Sequence, residues 1–166
     1  MFGMDSDTLI KLARAGAKEA VASAVDAIIP PEVEEEAVKE GREGGYPDAF
    51  EIERNLKSGL IKLVKVPRTK GTEVIIKKLG LNGGEADVFR LFRAGKCEAI
   101  ASDDQKFLDL ITALNVPFVT PSALIIHTWK KGKIDKETCS RLLEKLRPMI
   151  SEEEYQLAII ELKGGG

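Results

Sequence analysis

Residues 98–115 read EAIASDDQKFLDLITALN. A short apolar run, EAIAS, stops at Asp103 and Asp104, and apolar residues at helical spacing take over in DDQKFLDLITALN. Strand, acid, helix is half of a β-α unit, and the same rhythm runs outward in both directions. Before it, FGM reads as a truncated first strand, VDAII as a second ended by Pro30-Pro31, and LIKLVKV as a third. After it, VPFVT reads as a fifth. The stretches between read as helices. They are residues 8–22, with Leu9, Ile10, Leu12 and Ala13 on one side; EVEEEAVKEG, ending at Gly41; PDAFEIERNLKSG, ending at Gly59; KGTEVIIKKLG; EADVFRLFRAG; and PSALIIHTWKKG. Strands alternating with helices predict an α/β fold, a three-layer α/β/α sandwich around a central, mainly parallel sheet of about five strands.

From Gly132 the rhythm changes. DKETCSRLLEKL and SEEEYQLAIIELK are two helices with no strand between them, and Ser151 with Glu154 has capping-box spacing. The expected organisation is an α/β domain over 1–132, a helical hairpin over 133–163 packed on it, and a flexible glycine tail at 164–166.

Composition narrows the function. The chain has 166 residues, 43% of them hydrophobic, which suits one domain with a real core. A net charge of −2 offers no global basic field, so a polyanion would have to be met by local Lys and Arg clusters. No apolar run reaches the length of a membrane span, and no basic-then-apolar leader opens the chain. Cys97 and Cys139 stand far apart with no CxxC pairing. The expectation is a cytoplasmic protein with free thiols and no membrane partner. His127 is the single histidine, which excludes His-rich zinc or copper sites and shifts the chemistry towards carboxylates.

In a parallel sheet, ligands bind at the C-terminal ends of the strands. Asp5 follows strand one, and Asp103 and Asp104 follow strand four. Glu85 opens the helix before strand four, and Glu36 lies in the helix after strand two. Taken singly, each has an ordinary role. Asp5 or Asp7 can cap the first helix, Ser102 or Asp103 can cap the helix after strand four, Glu85 can complement a helix dipole, and Glu36 can belong to a solvated face. Gathered at one edge, they would stay ionised together only around a cation. Oxygen ligands without imidazole select a hard ion, Mg²⁺ or Mn²⁺, which activates water for attack on phosphorus.

On these residues the chain resembles PIN-domain proteins, in particular a prokaryotic branch with a Gly-Glu-Ala signature. Asp5-Ser6-Asp7-Thr8-Leu9-Ile10 matches the family's opening acid motif. Pro31 with Val33-Glu34-Glu35-Glu36 matches the second, Gly84-Glu85-Ala86 the third, and Ser102-Asp103-Asp104 the fourth. The likeness spans roughly residues 1–125, and the two last helices suit it. It implies a metal-dependent endoribonuclease in which Asp5, Glu36, Glu85 and Asp103 hold Mg²⁺ or Mn²⁺. Asp104 would join or replace Asp103, Asp7 would orient Asp5 or bind a metal-bound water, and Ser102 would support the Asp103 backbone or a phosphate. Adjacent Glu35 and Glu36 face different ways, so one of them is the second acid; Asp87 points elsewhere on its helix. The resemblance also covers toxins that pair with a small antitoxin, and a homodimer is a further expectation.

Arg90, Arg93 and Lys96, beside the third acid, are expected to contact RNA. Lys62, Lys65, Arg68, Lys70, Lys77 and Lys78 form another basic group, and Lys130, Lys131 and Lys133 a third, with ordinary solvation as the plain alternative. Tyr46 stacks on a base or packs a loop, and His127 reads as structural. Two other functions fit less of the pattern. One is a protein-interaction module of the same fold without catalysis. The other is a haloacid-dehalogenase-type phosphatase, whose DxDxT opening puts the Thr two places after the second acid; Thr8 follows Asp7 by one.

Overall fold

The computed structural model describes residues 1–45 and 47–165, with residues 40 and 48 as backbone alone. The expectation for Tyr46 therefore lies outside the described residues, as does the end of the glycine tail. The elements follow in order: β1 (Phe2–Met4), α1 (Ser6–Arg14), α2 (Lys18–Ala24), β2 (Ala27–Ile29), α3 (Pro31–Glu34), a π-helical turn (Glu35–Lys39), α4 (Glu40–Glu43), α5 (Pro47–Lys57) and β3 (Ile61–Leu63). Then come α6 (Lys70–Leu79), α7 (Gly83–Arg93), β4 (Ala99–Ala101), α8 (Gln105–Thr112), β5 (Phe118–Val119), α9 (Pro121–Lys130), α10 (Lys136–Leu146), a 3₁₀ turn (Arg147–Met149) and α11 (Glu152–Gly164).

All five strands are parallel, in the order β3-β2-β1-β4-β5. The chain steps from β1 to β2 to β3 in one direction, then crosses to the other side of β1 to lay down β4 and β5. Right-handed crossovers running in opposite directions put their helices on opposite faces, which makes the three layers. The reversal also opens a crevice between the C-terminal ends of β1 and β4. The strands are short, and the three central ones are buried: Met4, Ile28, Ile29, Ile100 and Ala101 are each 2% exposed or less.

Three helix expectations are corrected in detail. Residues 8–22 form two helices rather than one, because Gly16 takes φ of +71° and turns the chain between α1 and α2. The acidic helix after β2 begins at Pro31, widens into the π-helical turn and passes Gly41 to end at Glu43. The helix before β4 starts two residues early, at Gly83. At the C-terminus, α10 and α11 bury Cys139, Leu142, Leu143, Leu146, Tyr155, Ala158 and Leu162 in the same core as the sheet. Ser151 caps α11 by accepting from the Glu154 amide at 3.1 Å. The Glu154 carboxylate does not return the favour; it accepts instead from the Ser122 amide at the start of α9, at 3.1 Å. Both cysteines are free and buried, and burial pushes each thiol up to about 11. Among the described residues, no helix is long and apolar enough to cross a membrane.

Candidate active site

Asp5 leaves β1 and caps α1: its Oδ1 accepts from the Thr8 amide at 2.8 Å. The Thr8 hydroxyl in turn donates to the Ala101 carbonyl at 3.1 Å, which ties the start of α1 to the end of β4. Asp5 is 6% exposed. Burial pushes its carboxyl up to about 6, against hydrogen bonds from Ser102 and Thr8 and with a further push from the Asp7 charge. Ser102, fully buried at the end of β4, also accepts from the Asp104 amide at 3.2 Å. Asp104 caps α8, with its Oδ1 accepting from the Phe107 amide at 2.8 Å.

Glu36 reaches the crevice from the π-helical turn. Its Oε2 accepts from the Ser6 hydroxyl at 2.7 Å and its Oε1 from the Gly84 amide at 3.0 Å. Residue 84 has to be small for this approach: a Cβ there would stand 2.7 Å from Glu36 Oε2 and 3.0 Å from Val33 Cγ2. Glu85 follows in the first turn of α7. Burial raises its pKa, the charges of Asp104, Asp5 and Glu36 raise it further, and Lys106 opposes them. Asp5, Asp7, Glu36, Asn82, Glu85 and Asp104 line one open cleft of about 330 Å³. Its donors are carboxylate, amide and hydroxyl oxygens, the set a hard divalent cation takes. Among the described residues, no three Asp, Glu, His or Cys side chains stand together so as to hold an ion as they lie. The donor chemistry fits the metal.

A family model described as a PIN domain matches residues 1–163. The chain belongs to the PIN-domain family. No curated protein and no solved structure matches it. PIN domains are generally nucleases and usually use a divalent metal.

In this PIN domain the cleft is lined by Asp104 and not by Asp103, which is the replacement of one acid by its neighbour that the sequence left open. Neighbouring residues leaving a strand point to opposite sides, so one of the pair faces the crevice and the other turns away. Both Asp103 oxygens sit on Lys11 Nζ, at 2.9 and 2.7 Å. Lys11 also holds Asp7 at 2.7 Å. Burial pulls the Lys11 pKa down, but Asp103 and Asp7 more than offset that and leave it raised. The role of Ser102 shifts accordingly: it steadies Asp5 and the Asp104 backbone rather than that of Asp103. Of the two adjacent glutamates, Glu36 lines the cleft and Glu35 is exposed.

The expected RNA contacts are corrected too. Arg90 is buried and forks onto Glu73, with Nε to Oε1 at 2.7 Å and Nη2 to Oε2 at 2.8 Å, and it also pairs with Asp87. Its guanidinium is committed inside the protein. Arg93 and Lys96 are exposed, but α7 runs away from the cleft towards the N-terminal edge of the sheet. Arg93 lies eight residues beyond Glu85, about 12 Å along the axis. Arg90→Met is expected to cost about 3 kcal/mol in urea unfolding, because it leaves Asp87 buried without its cation; an unchanged midpoint would refute the structural role. Lys11, Lys106 and Asn82 are site residues that the motifs did not flag. Lys11 carried a readable sign, its i,i+4 spacing from Asp7.

Proposed function

We propose that this PIN domain is an endoribonuclease that hydrolyses RNA phosphodiester bonds at the carboxylate cleft with the help of Mg²⁺ or Mn²⁺. One observation carries the reading: four carboxylates from distant parts of the chain, Asp5, Glu36, Glu85 and Asp104, open onto a single cleft at the crevice between β1 and β4. These four would hold the metal. When bound, the ion supplies an activated water and neutralises charge building on the phosphate.

The chain's own residues prepare that chemistry. Thr8 and Ser102 hold Asp5 in one orientation. Ser6 and the Gly84 amide pin Glu36 from two sides, and the α8 cap fixes Asp104. Lys106, exposed beside Glu85, supports a contact to a substrate phosphate.

The test uses the purified chain and a fluorescent single-stranded RNA. Cleavage is expected with Mn²⁺ or Mg²⁺ and is expected to stop with excess EDTA, leaving 5′-phosphate and 3′-hydroxyl ends. Mn²⁺ should also raise the melting temperature. Intact RNA with both ions, together with no metal-dependent thermal shift, would replace the nuclease reading with a binding role.

A further inference from the structure

A second groove, of about 400 Å³, runs along the outer edge of β5, walled by α8 on one side and by α9 and α11 on the other. β5 is the last strand of the sheet, so its outer backbone edge has no strand partner among the described residues. Leu108 and Ile126 contribute to an apolar floor, and two large apolar side chains stand at the lips: Phe118 is 44% exposed and Leu157 is 61% exposed. Apolar side chains exposed on either lip of a groove offer a partner surface to bury.

The charges around the groove specify its occupant. Its acidic residues are Asp103, Glu153, Glu154 and Glu161, and no Lys or Arg lines it. Asp103 is neutralised by Lys11, and Glu161 pairs with Lys130. Glu153 and Glu154 have no cation partner among the described residues. Glu154 accepts from the Ser122 amide and from the Ser122 and Thr120 hydroxyls, none of them charged, and its burial beside the charge of Asp103 favours the arrival of a positive group. RNA would meet unpaired carboxylates here and no cation, which excludes the substrate of the cleft. A second copy docked symmetrically would bring the same two acids towards their own images.

We propose that the groove along β5 docks a short, basic amphipathic helix of a partner protein, with apolar side chains on Phe118 and Leu157 and a Lys or Arg against Glu153 and Glu154. From Glu153 to Glu161 the wall of α11 runs about 12 Å, the length of roughly two turns of a partner helix.

The experiment pans a display library of random short peptides against the immobilised full chain. The enriched peptides are expected to carry Leu, Ile or Phe at i and i+3 or i+4 with Lys or Arg between. Leu157→Asp and Glu153→Lys are each expected to weaken the best synthetic binder about tenfold or more, which is about 1.4 kcal/mol or more. Both positions face solvent, so the melting temperature should hold and certify the fold. RNA cleavage in both variants should match wild type, and the peptide result stands even if the wild type cleaves nothing. Failure to enrich any peptide, enrichment of acidic or uncharged ones, or binding indifferent to both substitutions overturns the proposal. So does a wild-type dimer in light scattering that Leu157→Asp makes monomeric, because the occupant would then be a second copy.

Discussion

Asp5→Asn is expected to abolish cleavage and, at the same time, to stabilise the metal-free protein at neutral pH. The carboxyl of Asp5 titrates at about 6 in the fold, above its ordinary 3.8, because burial disfavours the charged form. A raised carboxyl favours folding while it stays protonated. That advantage is complete below pH 3.8 and fades as the pH rises through about 6. At pH 7.5 the penalty is about 3 kcal/mol at most. Asn keeps an oxygen for the Thr8 amide, so the cap survives. Urea unfolding with EDTA should show the variant about 1–3 kcal/mol more stable at pH 7.5, with the gap closing towards pH 4. Cleavage with Mn²⁺ should fall about a thousandfold or more, since one charged ligand is gone. A variant less stable than wild type at pH 7.5 would remove the electrostatic basis for the site.

The neighbouring pair supplies the second large effect. Asp104→Asn should lose both Mn²⁺ affinity and cleavage while melting near the wild-type temperature, because Asn can still cap α8. Asp103→Asn should do the reverse. It breaks the ion pair with Lys11, where the Asp103 side chain is 7% exposed, and should cost about 2 kcal/mol. Its cleavage should stay within a few-fold of wild type. Calorimetric Mn²⁺ titration and thermal unfolding of the two variants separate the roles. If Asp103→Asn loses the metal and Asp104→Asn does not, the cleft has been assigned to the wrong carboxylate.

The strands were legible because each is a short apolar run closed by a turn or an acid, and EAIAS, VDAII and LIKLVKV all became neighbours of β1 or of one another. What escaped depended on the phase of the backbone or on distant partners. Asp103 and Asp104 are chemically alike in the sequence, and only the direction in which the chain leaves β4 tells them apart. Arg90 belonged to a basic cluster by composition, yet Glu73, on the preceding helix, claims its guanidinium. The Lys11–Asp7 spacing could be read locally, but the stronger hold on Asp103 spans 92 positions. Gly16 is the local sign of the break between α1 and α2, because it tolerates left-handed geometry, but the apolar pattern runs on across it.

The wide turn at Glu35–Lys39 constrains how the chain can change length. A π-turn closes its hydrogen bond one residue later than an α-turn, so this segment holds a spare residue that an ordinary helix would not need. Deleting one residue there would let the coil tighten to ordinary α-helical turns while the downstream helix keeps its phase, so the change falls on the turn itself. Glu36 would then be carried off Ser6 and the Gly84 amide with every acid still encoded. Comparison of this stretch with shorter relatives should therefore open a gap here, and a catalogue of retained carboxylates would overlook the loss.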